Sequence, residues 1–292
     1  MAQTRYAAVD IGSNAIRLVV VSVVEYKYGK SIKTKKIGLT RVPIRLGEDV
    51  FDNGAVSEEK FSDLLNAMQG FSSLIKAYRV VKFKACATSA MRCAKNGKEI
   101  LAQIKKASGI DIEIINGKQE AEYIFNAGIE KFLQEGKNYL YIDVGGGSTE
   151  LSLLIDGDRK ASASFQLGTV RILKRGWQKE EWSEMKNWIH KHTKNVKLFA
   201  AIGSGGNINR YYKMSSGENK VLKVKELQKC YSSLKALTYE QRMLQFSLKY
   251  DRADVIVPAG EIFLNILNET NIKNILIPKL GLADGIINEM IN

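Results

Sequence analysis

The sequence predicts an α/β protein built from two similar domains, and three observations lead to this prediction. The chain has 292 residues, which exceeds the usual size of one domain. Two short segments, residues 9–15 (VDIGSNA) and 142–149 (IDVGGGST), read almost alike. The chain has only three prolines and no Gly/Ser-rich linker, so the domain boundary must lie inside a structured element.

Each of the two similar segments is predicted to be a strand, a glycine turn and a second strand. An apolar run ends at Asp10 or Asp143, and β-branched and aliphatic residues resume at 17–24 and 150–157. In such a turn the backbone N–H groups can approach an anion with no side chain in the way. Two turns of this kind that face each other would hold a phosphate from both sides.

The common nucleotide-binding motifs do not fit these turns, because a P-loop or a dinucleotide fingerprint runs from a strand into a helix. The tripeptide GKS at 29–31 is not a P-loop, since Val24 occupies the position of the required glycine. The loop at 203–208 has Ile208 where a dinucleotide fingerprint needs its last glycine. The turns therefore indicate a different class of phosphate-binding fold.

Strand-to-helix passages are predicted in both halves of the chain. Residues 87–90 lead into a helix that carries Arg92, and a strand at 198–202 leads through a glycine loop into a helix from Asn207. The amides at a helix N-terminus favour anions, so each passage is expected to extend an anion site.

The domain boundary is predicted in the helix that follows Asn116. Residues 111–115 alternate between charged and apolar side chains like a strand, and the turn after them opens a helix. We place the boundary near residue 125 in this helix, which gives domains 1–125 and 126–292.

The net charge of +13 indicates an anionic partner. A solvated hairpin in a lysine-rich protein explains any single lysine, whereas a long polyphosphate chain needs counter-charge along its whole length. Nucleic acid would be attracted by the same field, but no nucleic-acid recognition motif stands out, so no specific nucleic-acid partner is expected. The lysines concentrate around a predicted hairpin turn at Tyr28-Gly29, at Lys27, Lys30, Lys33, Lys35 and Lys36.

The cysteines and histidines do not suggest a disulfide scaffold or a metal cluster. Cys86, Cys93 and Cys230 have no CxxC spacing, and buried thiols in a reducing cytosol are expected. His190 and His192 have no ligand cluster beside them and are expected at the surface. No signal peptide or membrane-spanning stretch is found, so we expect a cytoplasmic protein with no membrane partner.

The motifs of this chain, taken in order, resemble the exopolyphosphatase and guanosine pentaphosphate phosphatase family of the actin, sugar kinase and Hsp70 superfamily. Besides the two glycine turns, the shared motifs are 45–47 (RLG), 87–92 (ATSAMR), 116–121 (NGKQEA), 167–171 (LGTVR), 203–206 (GSGG), 252–254 (RAD) and 281–282 (GL).

The resemblance implies two ribonuclease H-like (actin-like ATPase) domains, each a mixed five-stranded sheet flanked by helices, with the active site in the interdomain cleft. It also implies that the last helix, 283–291, packs back on the first domain. Longer relatives carry an additional C-terminal module with a histidine-aspartate metal motif, so the short two-domain form is expected here. A homodimer is expected because relatives pair.

Glu120 is the candidate catalytic base. A glutamate in the first turn of a helix is common because it complements the helix dipole, and spacing alone favours that structural role. The resemblance implies the catalytic role, since the glutamate before alanine in this turn is the family's proposed base. Many relatives have a second carboxylate where this chain has Gln119, so a mechanism with two glutamates is not expected.

Asp143 and Glu150 flank the second glycine turn and are the candidate metal ligands, together with Asp10 at the matching place in the first turn. If the hairpin folds back at the turn, both carboxylates reach the same end of the sheet and can bind Mg²⁺ directly or through water. The alternative is that each aspartate accepts hydrogen bonds from its own turn. Mg²⁺ is the expected cofactor, with Mn²⁺ in its place or K⁺ beside it as further options.

Phosphate oxygens are expected to contact the two turns, the loop of the second half and three arginines, which would neutralise the phosphoryl group. A lone arginine on a strand or loop is usually an ordinary surface residue, so Arg17 and Arg45 are second choices after Arg92. The predicted phosphate-binding residues are Gly12, Ser13, Asn14, Arg17, Arg45, Arg92, Gly145, Gly146, Gly147, Ser148 and Gly205.

The function expected from these residues and the resemblance is Mg²⁺-dependent hydrolysis of the terminal phosphoanhydride of inorganic polyphosphate. Guanosine pentaphosphate (pppGpp) is the alternative substrate, and it would need a base-binding pocket in addition to the phosphate site. A non-catalytic polyphosphate or nucleotide sensor is the third reading, and the presence of Glu120, Asp143 and Glu150 argues against it.

Overall fold

The computed structural model describes residues 2–25 and 32–292. The chain divides into two compact units, the first comprising Met1–Gly128 with Gly281–Asn292 and the second Ile129–Leu280. The predicted hairpin turn at Tyr28-Gly29, with Lys27 and Lys30, lies outside the described residues.

The first unit begins with three consecutive strands, and helices separate the two strands that follow. Its elements up to the unit boundary are β1 (Ala2–Ile11), β2 (Ile16–Glu25), β3 (Ile32–Val42), α1 (Leu46–Asn53), α2 (Glu58–Ala77), β4 (Lys82–Ala87), α3 (Ser89–Cys93), α4 (Gly97–Ser108), β5 (Ile112–Ile114) and α5 (Gly117–Phe125).

The sheet of the first unit is mixed, with strand order β3-β2-β1-β4-β5. The first three strands are antiparallel, and β4 and β5 run parallel to β1. The β-branched run of β2 is almost wholly buried, because helices cover the sheet. The β1–β2 ladder ends at the pair Ile11 and Ile16, so the predicted glycine turn closes the hairpin.

The second unit repeats this order. Its elements are β6 (Asn138–Val144), β7 (Thr149–Ile155), β8 (Asp158–Phe165), α6 (Thr169–Arg175), α7 (Lys179–Thr193), β9 (Leu198–Ser204), α8 (Gly206–Met214), β10 (Val221–Lys223), α9 (Val224–Lys235), α10 (Tyr239–Phe246), α11 (Tyr250–Ala253), α12 (Ile256–Asn268) and β11 (Asn274–Leu276).

The second sheet differs from the expected five strands by one. Its order is β10-β11-β9-β6-β7-β8, so that β8, β7, β6, β9 and β11 match β3, β2, β1, β4 and β5 of the first sheet. The additional strand, β10, is three residues long and pairs antiparallel with β11 at the edge. Both glycine turns therefore follow the central strand of a mixed sheet, as a duplicated fold requires.

The C-terminal helix, α13 (Leu282–Ile291), belongs to the first unit, where it packs on α5, β1, β4 and β2. Its approach to α5 requires a glycine, since a Cβ at Gly285 would lie 1.7 Å from the carbonyl oxygen of Tyr123. The chain thus leaves the first unit after α5 and returns to it for its last helix.

The cysteines agree only in part with the expectation of buried thiols. Cys86 is buried as expected, but Cys93 is exposed because it ends the short helix α3, and Cys230 is half-buried. Within the described ranges, no helix combines the length and apolarity that a membrane crossing requires.

Candidate functional site

The candidate site of the first unit lies at the carboxyl ends of its parallel strands. The glycine turn follows β1, α3 follows β4 and α5 follows β5. Ligands of open α/β sheets bind at this edge. The topology thereby brings the turn, Arg92 on α3 and Glu120 on α5 to one edge, although the sequence separates them widely.

Backbone N–H groups of neighbouring segments bind the carbonyl oxygens of the first glycine turn. A hydrogen bond from Gly12 N to Ala15 O (3.2 Å) closes the turn. Because the N–H and C=O of one peptide point in opposite directions, binding the carbonyls directs the N–H groups of Asn14 and Ala15 to the other side. The carbonyl contacts are Thr88 N to Ile11 O (3.1 Å), Gly47 N to Ser13 O (2.8 Å) and Arg45 N to Asn14 O (3.2 Å).

The second glycine turn is held in the same way by the start of α6. Gly145 N donates to Ser148 O (2.9 Å) and closes the turn. The carbonyl contacts direct the N–H groups of Gly146, Gly147 and Ser148 away from α6, in the orientation that an anion site needs. These contacts are Thr169 N to Gly145 O (3.0 Å), Val170 N to Gly146 O (2.8 Å), Arg171 N to Gly146 O (3.1 Å) and Arg171 Nε to Gly147 O (2.8 Å).

A Leu-Gly dipeptide precedes or begins the helix that holds each turn. Gly47 in the first unit has space for no Cβ, since one would lie 2.7 Å from the Phe51 ring. A Cβ on Gly168 in the second unit would lie 2.4 Å from the carbonyl carbon of Gly147. The repeated Leu-Gly dipeptide is the sequence signal by which these supports could have been predicted. Arg171, which donates to the second turn, is a candidate site residue that the sequence analysis did not predict.

Asp10 and Arg17 form an ion pair across the first hairpin. The two residues are register partners in the β1–β2 ladder, and Arg17 Nη1 lies 3.1 Å from Asp10 Oδ2. Burial raises the pKa of the Asp10 carboxyl group, and the charge and hydrogen bond of Arg17 oppose this rise. The structure thus pairs Asp10, a predicted metal ligand, with Arg17, a predicted phosphate ligand.

Arg45 immediately precedes α1 in a left-handed conformation, with φ 60° and ψ 44°. This conformation is unusual for a residue other than glycine and needs support from the surrounding structure. The side chain is buried, and its Nε donates to Glu48 Oε1 (2.7 Å). Arg45 therefore contacts the first turn through its backbone while Glu48 orients its guanidinium group.

Glu120 and Arg92 come within ion-pair distance at the same edge. Arg92 Nη1 lies 3.8 Å from Glu120 Oε2 and donates to the carbonyl oxygen of Ile115 (2.5 Å). The Glu120 side chain is only 12% exposed. Its position in the first turn of α5 favours the negative charge.

Gln119, the residue before Glu120, takes part in capping α5. Its Oε1 accepts a hydrogen bond from Asn116 N, and Asn116 Oδ1 accepts one from Gln119 N, both at 2.9 Å. This reciprocal arrangement is a capping box, which satisfies two backbone donors at the helix start. Gln119 thus has a structural role that fixes the turn from which Glu120 projects.

Asp143 and Glu150 are directly opposite each other in the β6–β7 ladder. Residues paired in this way project to the same face of a sheet. Glu150 is buried and accepts a hydrogen bond from Ser164 Oγ (2.8 Å). Two neighbouring carboxylates fit Mg²⁺, which takes one or two from a protein and its other ligands from water and phosphate. No group of three or more acidic, histidine or cysteine side chains suited to a metal occurs among the described residues.

The loop between β9 and α8 lies beside Asp143. Gly205 has φ 98°, and a Cβ there would lie 3.1 Å from Asp143 Oδ1. Arg252 packs on Gly206, where a Cβ would lie 2.4 Å from Arg252 Nη1. The same nitrogen donates to Asn207 Oδ1 (3.3 Å). The predicted phosphate-binding Gly205 therefore adjoins the predicted metal ligand.

The two histidines lie away from these groups on α7. His190 is half exposed and its Nε2 lies 2.6 Å from Glu269 Oε2, which agrees with the surface position expected from the sequence. The ring centroids of His192 and Trp188 are 4.7 Å apart, and the two rings are tilted by 40°.

Comparison with known proteins identifies relatives over most of the chain. The Ppx/GppA phosphatase family matches residues 20–292. Exopolyphosphatase 1 of Mycobacterium bovis is 26% identical over 168 residues, covering 58% of this chain and 47% of that protein. Guanosine-5'-triphosphate,3'-diphosphate pyrophosphatase of Vibrio cholerae is 22% identical over 301 residues, covering 98% of this chain and 59% of that protein.

The crystal structure of a Ppx/GppA family member from Aquifex aeolicus superposes with a TM-score of 0.76 at 26% identity, covering 99% of this chain and 98% of that one. The expected α/β fold is thereby confirmed. The chain spans about half the length of the curated relatives it matches. With nearly its whole length matched, the chain belongs to the Ppx/GppA phosphatase family.

Proposed function

We propose that the protein is an exopolyphosphatase, which releases orthophosphate from the end of inorganic polyphosphate by hydrolysis of a phosphoanhydride. The observation that carries this proposal is the shared construction of the two glycine turns. In both, neighbouring backbone amides hold the turn carbonyls, so that the turn N–H groups are oriented before any ligand binds. Amides fixed in this way bind the charged phosphoryl oxygens without a cost of reorganisation.

Glu120 is proposed to activate the attacking water. The carboxylate takes a proton as the water oxygen forms a bond to the terminal phosphorus, and the bond from that phosphorus to the bridging oxygen breaks. The shortened chain leaves with the bridging oxygen and its electron pair. Arg92, 3.8 Å from the carboxylate, is placed to neutralise charge on the phosphoryl oxygens as they pass through the transition state.

Asp143 and Glu150 are the residues proposed to hold Mg²⁺, and Mn²⁺ suits the same oxygen donors. When bound, the cation supplies positive charge to the phosphate oxygens. Asp10 was a third candidate, and its ion pair with Arg17 gives it a different proposed task, which is to hold the strands on either side of the first turn in register.

Hydrolysis of pppGpp is the second candidate function. The relative from Vibrio cholerae, named for a guanosine nucleotide, aligns with 98% of this chain, whereas the mycobacterial exopolyphosphatase aligns with 58%. Both substrates end in a phosphoanhydride, so the same base and the same turns serve either reaction. The net charge of +13 favours polyphosphate, which carries negative charge along its whole length.

The test is release of orthophosphate from long-chain polyphosphate and from pppGpp, measured side by side with Mg²⁺. Glu120→Gln should lower kcat by about 10²- to 10⁴-fold, because the amide cannot accept the proton. Glu122→Gln, on the exposed side of the same helix, is the matched control and should retain activity. Faster release from pppGpp would favour the second function, and release from neither substrate would favour a sensor.

A further inference from the structure

Lys60 directs its ammonium group at the short segment that leads into α1. Its Nζ donates to the carbonyl oxygens of Ile44 and Arg45, both at 3.0 Å, and to Glu48 Oε2 at 2.8 Å. A lysine ammonium has three donors, and three are engaged here. The side chain is only 17% exposed, so its position is fixed by these bonds.

The segment that Lys60 binds needs such support because Arg45 is in the left-handed region, with φ 60°. A non-glycine residue keeps this conformation only when its surroundings impose it. Two backbone N–H groups of this segment contact the first glycine turn, through Arg45 N to Asn14 O and Gly47 N to Ser13 O. A relaxation of Arg45 would therefore release two of the bonds that orient the turn.

Glu48 links Lys60 to the guanidinium group of Arg45. One carboxylate oxygen accepts from Arg45 Nε at 2.7 Å and the other from Lys60 Nζ at 2.8 Å. Burial would raise the pKa of Glu48, but the hydrogen bond from Lys60 and the charges of Arg45 and Lys60 outweigh it and lower the pKa. The carboxylate thus stays charged between its two cations and holds the Arg45 side chain in one orientation.

The position of Lys60 is itself fixed at the start of α2. The Ser57 side chain caps this helix by accepting from Lys60 N at 3.3 Å. Asp49 of α1 accepts from both Ser57 N (3.1 Å) and Ser57 Oγ (2.5 Å). These bonds fix the first turn of α2 to α1, and they keep the Lys60 ammonium group close to the segment that it supports.

We propose that Lys60 is a positioning residue for the phosphate site of the first unit. Its ammonium group holds Arg45 in the left-handed conformation, which keeps the first glycine turn oriented and the Arg45 guanidinium in place for a phosphate group of the substrate. The part of this inference that concerns phosphate rests on the proposed function, whereas the part that concerns the backbone of Arg45 does not.

The backbone part is tested by amide hydrogen exchange without substrate. In Lys60→Met, the amides of residues 45–48 should exchange about tenfold faster, as expected when charge-assisted hydrogen bonds that hold a local structure are lost. Lys60→Arg keeps the charge and the donors and should retain most of the protection. Lys76→Met, an exposed lysine of the same helix, is the matched control and should match the wild type. Unchanged exchange in Lys60→Met would overturn the proposal.

The phosphate part is tested by steady-state kinetics with long-chain polyphosphate. Lys60→Met should raise KM about tenfold and change kcat by less than about threefold, because a binding interaction is lost and the base is intact. Lys60→Arg should recover a KM near that of the wild type. Faster exchange with an unchanged KM would contradict a role in substrate binding. A wild-type protein that hydrolyses neither polyphosphate nor pppGpp would refute the proposed function, while the exchange result would still decide the role of Lys60.

Discussion

Glu120 and Asp10 are both carboxylates beside an arginine, but their contacts differ. Arg17 lies 3.1 Å from Asp10 and donates a direct hydrogen bond across the first hairpin, whereas Arg92 lies 3.8 Å from Glu120. The hydrogen bond between register partners suits Asp10 to hold the two strands together. Glu120 lies in the first turn of α5 at the same edge as Arg92, and it is the carboxylate that we propose as the base.

Arg171 is expected to matter for both stability and substrate binding. It is 3% exposed, and its Nε donates to Gly147 O at 2.8 Å. Arg171→Met removes this bond and leaves the carbonyl without that donor, so the free energy of unfolding should fall by about 2 kcal/mol. Urea unfolding measures this loss, and KM for polyphosphate should rise in parallel.

Lys174→Met provides the matched control for Arg171, since Lys174 is an exposed cation on the same helix. Its free energy of unfolding should stay within about 0.5 kcal/mol of the wild type. An Arg171→Met protein with the stability and KM of this control would show that the backbone amides of α6 hold the second turn alone.

Among the helices and strands, α6 makes a closely packed contact with the second glycine turn. Gly168 has an extended backbone, so its role is one of space and not of conformation. A Cβ there would lie 2.4 Å from Gly147 C and 2.5 Å from Gly146 C. These are backbone atoms, which cannot move aside as the end of a flexible side chain can. Gly168→Ala should therefore lower the free energy of unfolding by about 3 kcal/mol, measured by urea unfolding.

Gly70→Ala makes the opposite prediction and is the control for Gly168→Ala. Gly70 lies inside α2, and no atom comes within 4 Å of its ideal Cβ position. Alanine should stabilise this helix by roughly 0.5–1 kcal/mol, because it has the higher helix propensity. If both substitutions changed the free energy of unfolding equally, the close contact between Gly168 and the turn would not be a determinant of stability.

The elements that the sequence predicted best were those with local signals. The strand-turn-strand hairpins around Asp10 and Asp143 follow from β-branched runs interrupted by glycine, and the start of α5 follows from the turn at Asn116-Gly117. The three-residue strand β10 carries no such periodicity and was not predicted. The supports of the glycine turns were also not predicted, since the bond from Gly47 to Ser13 joins segments that only the folded sheet brings together.

Across the protein as a whole, stability should depend on pH through Glu48. Its pKa is lowered in the folded state, so its contribution is present above its ordinary value of 4.5 and is lost as the pH falls through the lower folded value. The difference in free energy of unfolding between the wild type and Glu48→Gln should therefore be largest above pH 4.5 and should narrow in more acid solution. Urea unfolding over a pH series measures this difference, and Glu58→Gln controls for the loss of one exposed negative charge. A difference that does not change with pH would contradict the charged bridge between Arg45 and Lys60.

The net charge of the chain predicts how salt should affect the reaction. Lys and Arg number 44 against 31 Asp and Glu, so a polyanion is attracted over long distances. Raising NaCl from about 0.1 M to about 1 M shortens the screening length from about 10 Å to about 3 Å, which removes this attraction but leaves close contacts largely unscreened. KM for long-chain polyphosphate should then rise about tenfold, while kcat at saturating substrate should change little.

The same salt series with pppGpp separates long-range attraction from binding at the catalytic site. The nucleotide has fewer charges than a long chain, so its KM should rise less, and sucrose at matched osmolality should have no effect on either substrate. If KM for polyphosphate were insensitive to salt, the excess of lysine would have no part in substrate capture. Selectivity between the two substrates would then have to arise from contacts at the glycine turns and the arginines alone, and the preference for polyphosphate that the net charge supports would lose its physical basis.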